Sequence, residues 1–236
     1  MAQATIDPAE AAKFDALARR WWNPAGPMAP LHAMNEVRVG WIRALAERQP
    51  GFAGWAATTV LDVGCGAGLA AEAFARLGAA VSGIDAGAEV IAAARAHAAA
   101  EGLAIDYFQA APEEVAQAFD LVLALEVAEH VADRAAFAAA LAARCRPGGL
   151  VVLSTINRTP RSFLFAKLGA EYVARLLPVG THDYRRFVRP AELAAELRGA
   201  GLRVIAEAGM RFEPFGRRWR IGRDVGVNYL MAAVRA

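Results

Sequence analysis

Residues 59–68, TVLDVGCGAG, decide the fold because a short apolar strand runs directly into a glycine-rich turn. Residues 60–63 are apolar apart from Asp62, and the alanine-rich segment that follows the turn has the composition of a helix. A strand, a glycine turn and a helix in this order form the first half of a βαβ unit, which binds ligands at the carboxyl ends of its strands. We therefore expect this turn to line a ligand site.

Further strands and helices alternate on the carboxyl side of this turn. Alternation at this spacing predicts an α/β fold, with a mostly parallel twisted sheet and helices on both faces. The predicted strands are 80–85, 105–108, 120–125, 150–155, 202–207 and 227–234, and the predicted helices are 69–77, 87–100, 133–144 and 190–199.

The remaining segments are interpreted as additions to one domain. Phe14, Leu17, Ala18 and Trp21 share a face of one predicted N-terminal helix. The predicted organisation is an N-terminal helical cap (1–57), a core (58–155), an insertion after the fifth strand (156–187) and a C-terminal completion of the sheet (188–236).

Composition excludes several classes of protein. The chain has 26 Lys and Arg against 24 Asp and Glu, a net charge of +2, which argues against a nucleic-acid binder. Cys65 and Cys145 are too few for a disulfide framework or a zinc cluster. We find neither a signal-peptide pattern nor an uncharged run of 18 apolar residues, and therefore expect a soluble, cytoplasmic protein.

The spacing of the glycines and the acids beside them indicate the ligand. The pattern is Gly-x-Gly-x-Gly, whereas a dinucleotide site needs a third glycine where Leu69 stands. Asp62 would repel a pyrophosphate but suits an amino-bearing ligand. Asp85, at the end of the second strand, is placed to accept ribose hydroxyls or, alternatively, to cap the next helix. The candidate ligand-binding glycines are Gly64, Gly66 and Gly68.

The glycine turn at 62–68, Asp85 after the second strand and Phe119-Asp120 at the start of the fourth strand form a recognisable set. Together they resemble the Rossmann-like class I S-adenosylmethionine (SAM) methyltransferases over residues 58–155. A sharper resemblance, running almost end to end, is to the ubiquinone-biosynthesis O-methyltransferase family. The residues that carry it are Phe14, Arg19-Arg20-Trp21-Trp22-Asn23, Pro30-Leu31-His32, Asn35-Glu36-Val37-Arg38, Glu126-Val127-Ala128-Glu129-His130-Val131, Ser154-Thr155-Ile156-Asn157-Arg158, Gly169-Ala170-Glu171-Tyr172, Gly180-Thr181-His182-Asp183, Trp219-Arg220, Asp224 and Val227-Asn228-Tyr229.

This family resemblance implies methyl transfer from SAM to a phenolic hydroxyl of 3-demethylubiquinol or 2-polyprenyl-6-hydroxyphenol. It also implies that Arg38, Gly64, Asp85 and Leu125 contact the cofactor, with Arg38 pairing with the methionine carboxylate. The sequence departs from the family at two positions: Ala67 replaces a frequent glycine, and Gly226 replaces a usual acid.

The segment after the fourth strand carries the candidate chemistry. A phenol must lose its proton to become a good nucleophile, which requires a general base or a metal ion. Glu126 and His130 are the candidate catalytic residues, and with Glu129 they are the candidate ligands of Mg or Zn. Similar family members are metal-dependent. The alternative is an acidic helix start beside an ordinary histidine. His182 is a further candidate base, or a simple turn residue.

The insertion raises the question of membrane contact. Residues 161–177 mix large apolar side chains with Arg161, Lys167 and Arg175. This pattern predicts either peripheral contact with the inner-membrane surface or a lid helix packed on the domain. The alternatives to the proposed reaction are methylation of another small phenol or acid, and a non-catalytic scaffold role in a quinone-synthesis complex.

Overall fold

A computed structural model describes residues 8–23, 25–164, 184–213 and 218–236. Within these ranges eight strands form one sheet in the order β3-β2-β1-β4-β5-β8-β6-β7. The strands are β1 (Thr59–Val63), β2 (Ala80–Asp85), β3 (Ile105–Gln109), β4 (Phe119–Leu125), β5 (Cys145–Ile156), β6 (Leu202–Glu213), β7 (Arg218–Gly222) and β8 (Asn228–Arg235). The helices are α1 (Pro8–Asp15), α2 (Ala29–Ala46), α3 (Leu69–Arg76), α4 (Ala88–Ala100), α5 (Arg134–Arg144), the short α6 (Pro160–Ser162) and α7 (Pro190–Gly199).

The sheet is parallel from β3 to β5, and β8 then runs antiparallel between β5 and β6. Neighbouring residues of β1 point to opposite faces: Val60 joins the apolar cluster that packs α2, α3 and α4, whereas Leu61 joins the cluster that packs α5 and α7. Because helices cover both faces, the central strands are apolar almost throughout. The predicted α/β sheet with helices on both faces is confirmed.

Three features differ from the sequence prediction. The strand predicted over 150–155 begins earlier, at Cys145, because Cys145 pairs with Phe119 of β4. The predicted strand 202–207 extends to Glu213 and pairs with β7, which was not predicted. Apolar and charged residues alternate in both strands of this hairpin, over 210–213 and 218–221, so the strand signal was present in the sequence although it is short. The predicted N-terminal helix through Trp21 ends at Asp15. The Asp15 carboxylate accepts the backbone N–H groups of Glu89 and Val90, which fixes the chain against the start of α4.

A third, smaller apolar cluster joins the N-terminal segment to the glycine turn. It contains Ala18, Trp21 and Met28 together with Ala67 and Leu69. None of the helices in the described ranges combines the length and apolar composition that crossing a bilayer requires.

Candidate active site

The glycine turn lies at the carboxyl end of β1 and has left-handed backbone conformations. The φ angles of Gly64, Gly66 and Gly68 are 67°, 53° and 93°. A Cβ added to Gly64 would lie 2.5 Å from Cγ2 of Val127, so the segment after β4 packs directly on this turn. Glycine is required at position 64 both by its conformation and by this close approach.

Asp85, at the end of β2, organises two backbone turns. One carboxylate oxygen accepts the N–H of Gly66 at 2.9 Å, and the other accepts the N–H of Gly87, before α4, at 2.9 Å. Burial raises the pKa of this carboxyl above its usual value, although both hydrogen bonds oppose the shift. Asp85 therefore positions the glycine turn and the residue before α4, whereas the N–H groups in the first turn of α4 are accepted by Asp15. Its proposed contact with a ribose remains a prediction.

Asp62 and Arg38 are both buried beneath the turn. The Asp62 carboxylate accepts the backbone N–H of Ala71 at 3.1 Å. Burial raises its pKa to about 7, opposed in part by the charge of Arg38. Burial lowers the pKa of Arg38, and the carboxylates of Glu126 and Asp62 oppose that change. A buried cation is thus held between two acids.

Asn35 connects Arg38 to the loop. The side-chain amide of Asn35 donates to the carbonyl of Leu69 at 2.8 Å, and its oxygen accepts from Nη2 of Arg38 at 3.4 Å. Nη1 of Arg38 lies 3.7 Å from Oε1 of Glu126. Asn35 and Arg38 of α2 therefore connect the end of the glycine turn to Glu126, which follows β4.

Glu126 directly follows β4 with a φ of 58°, the one positive value among the described non-glycine residues. Its backbone N–H donates to the carbonyl of Ser154 at 2.9 Å, and Oγ of Ser154 donates to Oε1 of Glu126 at 2.6 Å. A non-glycine residue held in this conformation costs free energy and is found most often at functional sites. The β5 strand fixes this strained residue in place.

Glu129 is buried, and its Oε2 accepts from Oγ1 of Thr155 at 2.5 Å. Burial raises the pKa of Glu129 to about 8, and the nearby charge of Glu126 adds to the shift. The ring of His130 instead meets Phe14 edge-on, with 5.1 Å between ring centroids.

The predicted metal ligands do not converge. Across the described ranges, no three His, Cys, Asp or Glu side chains are grouped so that they could hold a metal ion. Glu126 is directed to Ser154 and Glu129 to Thr155, so the side chains as placed do not fit a metal ion. The metal site at Glu126, Glu129 and His130 stays a prediction.

Leu125 ends β4 and is buried at the edge of the site. His182 and most of 161–177 lie outside the described residues. Of that segment, Arg161 pairs with Asp224 at 3.0 Å, and Phe163 and Leu164 are exposed.

The sequence analysis assigned no roles to Ser154 and Thr155, which hydrogen-bond the two glutamates. The parallel register aligns Ser154 with Leu125, the last residue of β4. Ser154 and Thr155 therefore lie beside the segment that begins at Glu126. Two adjacent hydroxyl residues at the end of an otherwise apolar strand were the available signal.

Trp21 and Trp22 cover the glycine turn. The indole of Trp22 donates to the carbonyl of Ala67 at 3.0 Å and stacks on His97, with ring centroids 3.5 Å apart and 2° between the planes. Nδ1 of His97 lies 2.7 Å from Oε1 of the buried Glu72. The N-terminal segment is thus fixed to α3 and α4.

Comparison with known proteins places this geometry in a family. A family model described as a methyltransferase domain matches residues 16–207. The chain is 47% identical over 234 residues to the ubiquinone biosynthesis O-methyltransferase of Pseudomonas paraeruginosa, covering 98% of each chain. It is 46% identical over 238 residues to that of Azorhizobium caulinodans, covering 98% of this chain and 94% of the relative.

Solved structures with a similar fold are more distant in sequence. The magnesium protoporphyrin IX methyltransferase of Synechocystis PCC 6803, with bound SAH, has a TM-score of 0.62 and 20% identity, covering 89% of this chain and 85% of the other. A SAM-dependent methyltransferase from Thermotoga maritima has a TM-score of 0.67 and 15% identity, covering 96% and 100%. At these identities the likeness shows the fold alone.

Proposed function

The chain belongs to the ubiquinone biosynthesis O-methyltransferase family, and from this membership we propose that it methylates a phenolic hydroxyl of a polyprenylated catechol-type substrate. The observation that carries the proposal is the match to relatives of this name over nearly the whole of both chains. 3-Demethylubiquinol and 2-polyprenyl-6-hydroxyphenol are the proposed substrates.

The residues around the glycine turn fit SAM, which supplies an activated methyl group on a sulfonium when it is bound. Gly64, Gly66 and Gly68 expose the backbone, and Nε of the buried Arg38 has no hydrogen-bond partner among the described residues. Asp85 retains lone pairs for ribose hydroxyls beyond the two backbone groups that it accepts. Asp62 and Leu125 complete the proposed set.

The acidic segment is proposed to remove the phenol proton. Glu129 is proposed as the base because it follows β4 beside Glu126 and Thr155, where burial raises its pKa and makes its carboxylate a stronger proton acceptor. Thr155 orients this carboxyl, and Glu126 favours protonation of Glu129 by its charge. Glu126, His130 and His182 remain the other candidate bases.

The first experiment measures transfer of a labelled methyl group from SAM to a short-prenyl catechol. The wild-type protein is expected to form product, and Glu129→Gln to lower kcat by roughly 10²-fold or more, with SAM binding intact. Glu101→Gln is the matched control, since Glu101 pairs with Arg76 at the surface, and its activity should equal wild type.

A chelator distinguishes the roles of the acidic segment. Loss of product with chelator, restored by Mg or Zn, would support the metal role of Glu126, Glu129 and His130. Product formation that is insensitive to chelator, together with full activity of Glu129→Gln, would move the base to Glu126, His130 or His182. Binding of SAM without methylation of any catechol would contradict the proposed substrate, leaving another small acceptor or a scaffold role.

We also propose that residues 161–177 contact the cytoplasmic surface of the inner membrane, where a polyprenylated substrate dissolves. The exposed Phe163 and Leu164 at the start of this segment, beside Arg161, support this contact. The same proposal includes association of the protein with a quinone-synthesis complex.

A further inference from the structure

Trp21 lies directly on the glycine turn. Its side chain is buried, with 5% of the residue exposed. A Cβ added to Gly66 would lie 2.3 Å from Cζ2 of the indole and 3.1 Å from Cε2, the ring carbon bonded to Nε1. The six-membered ring of the indole therefore covers Gly66, and Cε2 places Nε1 one bond away from this contact.

The donor of this indole is unpaired. Nε1 of Trp21 has no hydrogen-bond partner among the described residues, and the same holds for Nε of Arg38 and the hydroxyl of Tyr107. The Tyr107 hydroxyl also borders the turn, because a Cβ added to Gly68 would lie 2.2 Å from it. An unpaired buried donor costs about 1–3 kcal/mol, and folded proteins bury few of them. Three such donors around one turn indicate a ligand rich in acceptors.

The position of Trp21 is fixed from several directions. Its carbonyl accepts from Nε2 of His32 at 2.8 Å, and its ring contacts that of Phe14, with centroids 6.4 Å apart. The indole N–H of the next residue, Trp22, donates a hydrogen bond to the carbonyl of Ala67. Because its surroundings already hold the indole in place, forming one further hydrogen bond would cost little ordering.

We infer that the indole N–H of Trp21 donates a hydrogen bond to the cofactor bound at the glycine turn. Trp21 is then a cofactor-binding residue of the proposed methyltransferase site, and the inference rests on that proposed function. SAM and its product SAH (S-adenosylhomocysteine) both offer acceptors, namely a carboxylate, ribose oxygens and adenine nitrogens. A purely structural tryptophan would need no acceptor and would contribute only its ring.

The test is Trp21→Phe, which keeps an aromatic ring on Gly66 and deletes the N–H. We expect the Kd for SAH, measured by calorimetry without any acceptor substrate, to rise about three- to tenfold. The melting temperature of the ligand-free variant should fall less than that of a buried tryptophan whose N–H is hydrogen-bonded, because the variant loses ring volume but no protein hydrogen bond. In the wild-type protein, the indole N–H resonance of Trp21 should shift downfield when SAH is added.

Trp55→Phe is the matched control. Nε1 of Trp55 donates to Oε1 of Glu47 at 2.9 Å, so this variant should lower the melting temperature and leave the Kd for SAH unchanged. A Kd for SAH in Trp21→Phe equal to wild type, with an unshifted indole resonance, would overturn the inference alone. Failure of the wild-type protein to bind SAH would instead overturn the proposed cofactor site, and the inference with it.

Discussion

At the scale of single residues, the site depends on carboxyl groups that the fold buries. Burial raises the pKa of Asp62, Asp85 and Glu129, and the charge of Arg38 limits the shift at Asp62. These groups exchange protons closer to neutral pH than exposed carboxylates do. The stability of the ligand-free protein should therefore depend on pH in a range where most carboxylates are fully charged.

Asp62→Asn tests this dependence. The pKa of Asp62 is raised in the folded protein to about 7 from 3.8, so the folded state binds the proton more tightly than the unfolded chain. Its stabilising contribution is complete below pH 3.8 and is lost as the pH rises through 7. Relative to wild type, Asp62→Asn should therefore gain on the order of 2 kcal/mol in free energy of unfolding between pH 5 and pH 8.

Urea unfolding at the two pH values measures this difference. The exposed Asp106 on β3 gives the control, since Asp106→Asn should stay close to wild type at both pH values. An Asp62→Asn variant whose stability relative to wild type does not change with pH would show that Asp62 titrates as an ordinary carboxyl.

The departure from the family at Gly226 lies beside an ion pair. Its N–H donates to Oδ1 of Asp224 at 2.9 Å, and Oδ2 of Asp224 pairs with Arg161. A Cβ at position 226 would lie 2.9 Å from Nη1 of Arg161. Asp224 thus supplies a carboxylate to both Arg161 and the backbone of Gly226, and a side chain at position 226 would crowd this pair.

At the scale of elements, the segment between α1 and α2 is held on the glycine turn by Trp22. The indole of Trp22 stacks on His97 and donates a hydrogen bond to the carbonyl of Ala67. Arg19 and Arg20 precede it and are exposed. Local opening of this segment would therefore present two trypsin sites.

Trp22→Leu should loosen the segment because it removes both the stack and the hydrogen bond. We expect cleavage after Arg19 and Arg20 to become about tenfold faster, which corresponds to a loss of roughly 1.4 kcal/mol in local stability. The half-buried Trp41 of α2 provides the control, and Trp41→Leu should be cleaved at the wild-type rate. Equal cleavage of Trp22→Leu and wild type would show that Trp22 does not hold the segment.

The elements also show what the sequence could predict. Strands β1, β4 and β5 each contain an apolar run that located them, and the glycine turn followed from its place between β1 and α3. The β6–β7 hairpin was missed although charged and apolar residues alternate over 218–221, because this alternation covers only a few residues. The pairs Ser154–Glu126 and Thr155–Glu129 depend on strand register, and the cover of Trp21 over Gly66 depends on tertiary packing. The two hydroxyl residues are visible in the local sequence, but their partners are not, and the contact of Trp21 with Gly66 has no local signature.

At the scale of the whole molecule, the site and the insertion share one edge of the sheet. The glycine turn follows β1, the acidic segment follows β4, and β5 ends at Ile156, just before the insertion begins. Because parallel strands present their carboxyl ends at the same edge, the insertion leaves the fold beside the proposed active site. A polyprenyl tail dissolved in a bilayer beneath the insertion would then lie close to the proposed active site.

This arrangement predicts that the start of the insertion contributes to membrane binding. Wild-type protein should co-sediment with phosphatidylglycerol vesicles, through apolar burial and attraction of basic side chains. Phe163→Ser combined with Leu164→Ser should weaken this binding about tenfold, because it removes two exposed apolar side chains, while the Kd for SAH stays unchanged. Phe108→Ser, which removes an exposed phenylalanine from β3, should bind vesicles like wild type. If the double variant and Phe108→Ser lose equal affinity, the contact is not specific to the insertion.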